Sequence, residues 1–448
     1  MADNTDTIAA IATPPGRGGI GIIRLSGPAA GAVAAAVTGI STPNPGKVYY
    51  AAFTDEQDRI IDRGLLLYFQ KPASYTGEDV IELHGHGGPV VMGMLLNRVL
   101  GLGARLARPG EFTERAYLND KLDLLQAEAV ADLISSCSEK AARSAIHSLE
   151  GGFSESINRL VRELIAIRTY VEGALDFPEE EIDFLAENGT AARVQNWLQG
   201  LEDLLAKAEQ GRLLSEGLRV VILGRPNVGK SSLLNQLTQT NRAIVTDIPG
   251  TTRDVIEEDI LIEGIPLNLA DTAGLRNVTD QVEEEGIKRA RQAAGNADIV
   301  LLVVDAGGSI EEQVTELQAE PGVSAKKLVV VNKIDLCPNA KTGNTQDTVY
   351  VSAKTGAGME TLRQELKRLA GLEDESETVL LARTRHINAL LQAQQFVTQG
   401  IAGYKEHGAA ELLAEELSRA QRALATITGE FSADDLLGEI FSSFCIGK

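Results

Sequence analysis

Between residues 218 and 369 the sequence alternates apolar runs with helical patterns, and this alternation constrains the fold more than any other feature. The apolar runs have the length of strands, and the helical patterns begin near residues 230, 281, 310 and 357. Such alternation is typical of a largely parallel sheet whose faces are covered by helices. The predicted strands are, in order, LRVVIL, VIEEDILI, IPLNLA, DIVLLVV, KLVVV and TVYV.

The segments on either side follow different patterns. Residues 1–118 are rich in glycine and in short extended runs, with one helical pattern, which indicates an α+β domain. Residues 119–216 and 376–448 are helical in period. The simplest account is one helical domain in two parts, with the α/β domain of residues 217–375 inserted into it, because inserted domains have neighbouring termini. The predicted fold class is therefore multi-domain, α/β and α.

The composition of the chain indicates its cellular compartment. The 448 residues are 44% hydrophobic and 23% charged, as is typical of a globular protein. Cys137, Cys337 and Cys445 lie far apart and are odd in number, so we predict a reducing compartment without disulfides. The start of the chain lacks the pattern of a signal peptide, and its apolar runs are too short to span a bilayer. We predict a cytoplasmic protein with no membrane contact.

The net charge of −21 lowers the expectation of nucleic-acid binding, because contacts with phosphates need lysine and arginine. The acidity is uneven along the chain. Residues 1–118 hold 10 basic and 11 acidic residues, whereas the rest of the chain holds 32 and 52. Any RNA contact would therefore have to use local basic patches or a basic partner.

The segment GRPNVGKSS, residues 224–232, follows a predicted strand and opens a predicted helix, which is the context of a phosphate-binding P-loop. Its glycines let backbone N–H groups approach the phosphates. Lys230 would reach the β- and γ-phosphates, and Ser231 would bind Mg²⁺. The nucleotide-binding residues predicted in this loop are Asn227, Val228, Gly229, Lys230, Ser231 and Ser232.

Three further motifs each follow a predicted strand. The NKID motif ends in Asp335, whose carboxylate can accept hydrogen bonds from N1–H and the exocyclic amine of guanine, whereas adenine offers neither donor. The SAK motif would contact guanine O6, and the DTAG motif would reach Mg²⁺ and the γ-phosphate. Four motifs in this order predict GTP binding. The residues concerned are Asp271, Thr272, Ala273, Gly274, Asn332, Lys333, Asp335, Ser352, Ala353 and Lys354.

The segment TDIPGTTRD lies between the P-loop helix and the next strand, where switch I of a GTPase belongs. Thr252 is the candidate for the second protein ligand of Mg²⁺, and a solvent-exposed turn is the alternative interpretation. The GTP-binding residues predicted here are Thr246, Asp247, Ile248, Pro249, Gly250, Thr251 and Thr252.

The DTAG motif is followed by Leu275, which has no donor or acceptor to orient an attacking water. In the best-known small GTPases a glutamine stands there, and an arginine finger adds positive charge. If the chain hydrolyses GTP, another polar group must therefore lie near the γ-phosphate. Arg253 and Arg276 are candidate sources of the positive charge.

Two features of the N-terminal region invite other interpretations. The segment GRGGIG has the spacing of a dinucleotide-binding loop without its context, because ATPP precedes it and the extended IIRLSG follows it. His84 and His86 are predicted to be supporting or loop residues rather than metal ligands, because no third ligand is in view.

The chain resembles the MnmE (TrmE) family of bacterial tRNA-modification GTPases in GRGGIGIIRLSGP, GRPNVGKSSLLN, IVTDIPGTTRD, DTAGLR and the terminal CIGK. The resemblance implies an N-terminal folate-binding domain, a helical domain and an inserted Ras-like P-loop G domain, in a homodimer formed through the N-terminal domains. It also implies a MnmG-type FAD protein as partner, tRNA as substrate and a tetrahydrofolate derivative as one-carbon donor. The implied product carries an aminomethyl or carboxymethylaminomethyl group at C5 of the wobble uridine.

The resemblance further implies how the missing glutamine is replaced. A potassium ion takes the place of an arginine finger, an effect worth roughly 10³–10⁵ in rate, and its site forms when two G domains meet. Its ligands would be the Asn227 side chain and the carbonyls of Thr246, Ile248 and Thr251. Glu283 would position the water, although its acidic neighbours equally fit a solvated helix face. The predicted catalytic residues are Glu283, Asn227 and Lys230.

The resemblance also assigns a folate site. The carboxylate of Glu82 can pair with the 2-amino and N3 edge of a pterin, and a charge at the edge of a sheet is the alternative. Cys445 would serve the modification reaction or would be a small residue packed after the last helix. The positions that match folate contacts of the family are Arg24, Glu82, Lys121 and Lys448.

Three functions are therefore weighed. The first is a GTP-driven component of tRNA wobble-uridine modification. The second is a ribosome-assembly GTPase, which would usually carry an RNA-binding domain and a more basic face. The third is a folate-dependent aminomethyltransferase with an incidental G domain.

Overall fold

The computed structural model describes residues 6–175, 190–239, 258–262, 265–270, 297–318, 325–337, 347–371, 379–430, 434–442 and 444–447. The chain divides into two compact units. The first unit comprises Met1–Ala131, Ile157–Val161 and Ser418–Lys448. The second unit comprises Asp132–Ser156 and Arg162–Leu417.

The first unit contains a six-stranded sheet with two helices against one face. Its elements are β1 (Ile8–Ile11), β2 (Gly18–Ser26), α1 (Ala30–Thr38), β3 (Val48–Thr54), β4 (Ile60–Phe69), β5 (Val80–Gly87), α2 (Pro89–Gly101) and β6 (Arg105–Leu106). The strand order is β3-β4-β5-β2-β1-β6, and every neighbouring pair is antiparallel except β1 and β6. Ile23, Leu25 and Leu83 point towards the two helices and have no exposed surface. Because side chains alternate along a strand, their neighbours in sequence line the opposite face.

The remaining described helices complete both units. In chain order they are α3 (Glu111–Leu118), α4 (Leu124–Ser135), α5 (Glu139–Leu149), α6 (Gly152–Leu175), α7 (Thr190–Ser215), α8 (Lys230–Gln239), α9 (Ile310–Gln318), α10 (Met359–Leu369), α11 (Thr384–His407), α12 (Ala410–Thr428) and α13 (Asp434–Ser442). In the first unit, Leu124 of α4 packs with Ile440 and Phe441 of α13 and with Phe444 beyond it. This cluster fixes where the C-terminal segment begins.

The prediction of one helix in residues 1–118 is wrong, because the structure has α1, α2 and α3 there. Helix α1 buries Ala30, Val33, Ala34 and Val37, which are spaced as one face of a helix. Its sequence is alanine-rich throughout, so the polar face that would reveal this period is missing. The tertiary contacts, rather than a visible pattern, select the face that is buried.

The second unit contains the predicted α/β domain. Its strands are β7 (Leu218–Leu223), β8 (Glu258–Ile262), β9 (Ile265–Ala270), β10 (Ile299–Asp305), β11 (Lys326–Asn332) and β12 (Thr348–Tyr350). The order of these described strands is β12-β11-β10-β7-β9-β8, in which β8 and β9 pair antiparallel and the other neighbours pair parallel. Central parallel strands are buried on both faces, which explains the uninterrupted apolar run of β10. The predicted fold class, with an N-terminal α+β domain, a helical domain and an inserted Ras-like P-loop G domain, is confirmed.

The chain enters and leaves the inserted domain at a polar junction. The side chain of Glu216 accepts hydrogen bonds from the backbone N–H and the hydroxyl of Thr384, at 2.8 and 2.7 Å. Arg212 of α7 donates to Asp298 at 2.6 Å, and the other oxygen of Asp298 accepts the backbone N–H of Arg219 at 2.9 Å. Helix α7 is therefore tied directly to the first strand of the inserted domain and to the residue that precedes β10.

We expect Arg212→Ala to lower the free energy of unfolding of the second unit by about 1–3 kcal/mol, because a charged hydrogen bond with only 12% exposure of the arginine side chain is lost. Arg143→Ala is the matched control, since its pair with Glu139 is about three-quarters exposed and should cost less than about 0.5 kcal/mol. Urea unfolding of the full chain measures both changes. Equal effects of the two substitutions would contradict the role assigned to the junction.

Of the helices that the structure describes, none combines the length and the hydropathy needed to cross a bilayer.

Candidate functional site

The P-loop joins the end of β7 to the start of α8. Asn227 and Gly229 have left-handed backbone conformations, with φ of 61° and 97°. Asparagine tolerates this region better than most residues, and glycine adopts it without strain. The Lys230 ammonium donates to the carbonyl oxygens of Gly224 and Arg225, at 2.7 and 3.1 Å. The N-terminal turn of α8, with Ser231 and Ser232 exposed on it, presents backbone N–H groups that can bind an anion.

Asn332, at the end of β11, links the P-loop to the other motifs. Its side-chain amide donates to the carbonyl oxygen of Val228 at 2.9 Å, and its side-chain oxygen accepts the N–H of Ala353 at 3.0 Å. Only 2% of Asn332 is exposed. A Cβ atom added at Gly229 would collide with the Asn332 amide nitrogen. The residue therefore acts as a buried brace between three of the predicted nucleotide-binding motifs.

Asp335 and Ser352, which are predicted to contact guanine, lie just beyond the carboxyl ends of β11 and β12. Asp335 accepts a hydrogen bond of 2.6 Å from the hydroxyl of Ser352, which is fully buried. The Lys333 ammonium donates to Asp305 at 2.7 Å. This hydrogen bond, with that of the Gly307 amide, lowers the pKa of Asp305. Asp305 is not among the residues predicted from sequence, although a carboxylate at the end of the buried strand β10 is a usable signal.

We expect Asp335→Asn to weaken GTP binding by about 100-fold or more, because the amide of asparagine would face two guanine donors with a donor of its own. The same change should favour xanthosine triphosphate, whose C2 carbonyl can accept from that amide. Competition of both nucleotides against a fluorescent GTP measures the switch. Unchanged preference for guanine would contradict the role of Asp335.

A second polar cluster lies on the first unit, on the sheet face opposite α1 and α2. Arg24 of β2 and Glu82 of β5 are direct cross-strand partners, and the guanidinium donates to the carboxylate at 2.9 Å. His84, two residues along β5, lies 2.9 Å from the other carboxylate oxygen. The three side chains are 14–23% exposed. His86 is on the same strand and contacts Asp62 instead, at 2.8 Å.

The C-terminal segment lies against this second cluster. The carbonyl oxygen of Gly447 accepts a hydrogen bond of 3.3 Å from Arg24. Gly447 has φ of 97°, and a Cβ atom there would lie 2.5 Å from the carbonyl oxygen of Ile11. Cys445 is exposed, and its carbonyl accepts the N–H of Gly110 at 3.4 Å. The structure thus brings Arg24, Glu82 and the predicted functional tail together.

Lys121 has a different setting. Its ammonium donates to the carbonyl oxygen of Pro72 at 3.1 Å, in the loop between β4 and β5. Lys121 also lines a cavity of about 440 Å³ in the first unit, with Asp120, Asn158 and Gly429. No contact between Lys121 and Arg24 or Glu82 is found in this described part of the chain.

Several predicted residues lie outside the described residues. They are all seven positions of 246–252, the DTAG motif at 271–274, Arg253, Leu275, Arg276, Glu283 and Lys448. Of the two predicted Mg²⁺ ligands, only Ser231 is described. Within the described ranges, no cluster of three or more His, Cys, Asp or Glu side chains could hold a metal.

Two family descriptions match the chain. "GTP-binding protein TrmE N-terminus" matches residues 7–121, and "MnmE helical domain" matches residues 124–445. The chain is 53% identical to the tRNA modification GTPase MnmE of Neisseria meningitidis serogroup A and 52% identical to that of Stutzerimonas stutzeri, each over 100% of both chains. The protein of the same description from Saccharophagus degradans is 51% identical over 99% of both chains.

Proposed function

The chain belongs to the MnmE family of tRNA modification GTPases, and from this membership we propose a specific reaction for it. Together with a MnmG-type FAD protein it installs an aminomethyl or carboxymethylaminomethyl group at C5 of the tRNA wobble uridine, in the cytoplasm. The observation that carries the proposal is the similarity to these GTPases over the whole chain. The proposed division is 1–118 for the N-terminal domain, 119–216 and 376–448 for the helical domain, and 217–375 for the G domain.

The G domain binds and hydrolyses GTP in this proposal. Lys230 moves from the loop carbonyls it now contacts to the β- and γ-phosphates, and the N–H groups at the start of α8 bind phosphate oxygens. Asp335 accepts from the guanine base, held in place by Ser352. Ser231 and Thr252 would hold Mg²⁺, which neutralises phosphate charge when it is bound. The exposed Ser231 hydroxyl, beside Lys230, fits this role.

Potassium stimulation through G-domain dimerisation is the second part of the proposal. The chain would hold K⁺ with the Asn227 side chain and the carbonyls of Thr246, Ile248 and Thr251. The exposed, left-handed Asn227 in the P-loop supports this assignment, because its amide oxygen is available to a cation. Glu283 orients the attacking water in place of the glutamine that Leu275 replaces.

The third part is a folate site in the N-terminal domain, with Arg24, Glu82, Lys121 and Lys448 as its contacts. One oxygen of the Glu82 carboxylate accepts a hydrogen bond from Arg24, and the other forms a hydrogen bond with the ring of His84. Each oxygen can accept one more, so the carboxylate fits the paired N–H donors of a pterin edge. A bound tetrahydrofolate derivative supplies the one-carbon unit. Cys445 serves the reaction from the tail that Arg24 holds nearby.

The protein works as a homodimer formed through its N-terminal domains, and the MnmG-type partner brings the flavin. The acidic chain would meet tRNA through local patches or through this partner, because a net charge of −21 disfavours broad contact with phosphates.

Mass spectrometry of tRNA nucleosides from cells that lack the protein tests the proposal. We expect the C5-modified wobble uridine to disappear and to return with the intact gene. Return with a Lys230→Ala gene would favour an aminomethyltransferase whose G domain is incidental. Unaltered wobble uridine with altered ribosome profiles would favour a ribosome-assembly GTPase and contradict the proposal.

A further inference from the structure

Tyr75 lies beside the Arg24 and Glu82 cluster and has no part in the function described so far. The Arg24 guanidinium carbon is 5.8 Å from the centre of the Tyr75 ring and 5.8 Å from that of Phe112. Phe112 is fully buried, whereas Tyr75 is half-buried. The Tyr75 hydroxyl forms a hydrogen bond of 2.8 Å with Thr113 of α3. Burial raises the pKa of this hydroxyl, so it remains a neutral phenol at neutral pH.

The loop that carries Tyr75 has no regular structure, yet side chains from several elements hold it. The hydroxyl of Thr76 forms a hydrogen bond of 2.7 Å with the buried hydroxyl of Ser26. The Ser26 hydroxyl in turn donates to the carboxylate of Glu78 at 2.6 Å. Arg115, which is 2% exposed, donates to Glu78 at 3.1 Å. Asn119 donates to the carbonyl oxygen of Thr76 at 2.7 Å. Because Thr76 and Glu78 closely follow Tyr75, these hydrogen bonds hold the backbone next to the ring in a defined place.

Arg24 has two polar partners, Glu82 at its Nε atom and the Gly447 carbonyl at one terminal nitrogen. The rings of Tyr75 and Phe112 lie beside the same guanidinium and add a further constraint on its orientation. An arginine over an aromatic ring is attracted to the ring, and more strongly where both groups are withdrawn from water. The side chain of Arg24 is 23% exposed, so water screens this attraction only in part.

We propose that Tyr75 is a positioning residue of the folate site, whose ring holds the Arg24 guanidinium in the orientation in which Arg24 and Glu82 meet a pterin. This inference rests on the proposed folate site. Tyr75 acts through Arg24, and its hydroxyl serves only to seat the ring against α3.

Calorimetric titration of the full chain with 5-formyltetrahydrofolate tests the inference. We expect Tyr75→Leu to weaken binding by about five- to thirtyfold, the range that corresponds to a cation–π interaction of this kind. Tyr75→Phe keeps the ring and should bind within about twofold of the unaltered protein, because only the seating hydrogen bond is lost. Thr113→Val removes the same hydrogen bond from the other side and should behave like Tyr75→Phe. Near-ultraviolet circular dichroism of each variant confirms that it is folded.

A double-mutant cycle separates positioning from a purely structural role. In an Arg24→Met background, Tyr75→Leu should weaken binding by less than about twofold further, because the guanidinium it positions is gone. Additive losses, or a loss in Tyr75→Phe equal to that in Tyr75→Leu, would overturn the inference while leaving the folate site in place. Absence of binding by the unaltered protein would overturn the folate site itself, and the inference with it.

Discussion

Gly229→Ala is expected to lower the affinity for GTP by about 100-fold or more and to abolish hydrolysis at ordinary GTP concentrations. Two causes add. Alanine is strained at φ of 97°, at a cost of about 1 kcal/mol, and its Cβ would collide with the amide of Asn332. Asn332 cannot move without losing its bonds to Val228 and Ala353, which cost about 1–3 kcal/mol each when a buried group is left unpaired. Titration with a fluorescent GTP analogue measures the affinity.

Gly173→Ala is the matched control for this substitution. Gly173 lies in helix α6 without a left-handed conformation, and a Cβ there would meet no atom within 4 Å. The control should bind GTP normally and gain up to about 1 kcal/mol of stability, because alanine favours a helix. Normal GTP affinity in Gly229→Ala would show that Asn332 does not brace the P-loop as described.

Replacement of potassium by sodium, at constant ionic strength, is expected to lower the turnover of GTP by about 10³-fold or more, which is the lower end of the effect of an arginine finger. Sodium is smaller and fits poorly among ligands spaced for potassium. Nucleotide affinity should change little, because the proposed contacts of Lys230, Asp335 and the helix N–H groups with GTP do not involve the ion. Turnover that is equal in both salts would remove the potassium part of the proposal.

Asn227→Ala is the companion variant. Loss of the amide oxygen should remove the preference for potassium, while GTP still binds, because the backbone at this position and Lys230 remain. Alanine is more strained than asparagine at φ of 61°. Asn227→Gly, which adopts that conformation without strain, therefore serves as the control for backbone strain. A preference for potassium that survives in both variants would assign the cation to other ligands.

The G domain could be predicted from sequence because each of its motifs follows a strand of a parallel sheet. The carboxyl ends of such strands meet at one edge, so the P-loop, NKID and SAK segments had to converge. The strands could be identified as uninterrupted apolar runs because parallel strands are buried on both faces. Neither the pattern nor the spacing revealed that Asn332 would join these motifs through hydrogen bonds with Ala353 and with Val228, which is 104 residues away in sequence.

The N-terminal site was much less accessible from sequence. Arg24 and Glu82 were found through the family resemblance, and only the register of β2 and β5 makes them direct partners. The contact between Arg24 and Gly447 spans 423 positions of the chain, a separation at which no local periodicity carries information. Tyr75 sits in an irregular loop, where side-chain bonds rather than propensity decide the conformation.

The hydrogen bonds between Glu216 and Thr384 have a practical consequence for replacing the inserted domain. Because the two ends of the inserted domain meet, a short glycine bridge between these positions could take the place of everything between them without separating α7 from α11. The same geometry would accept a foreign GTPase whose own termini are adjacent. A chimera of this kind would show which properties depend on the inserted GTPase domain and which depend on the rest of the chain.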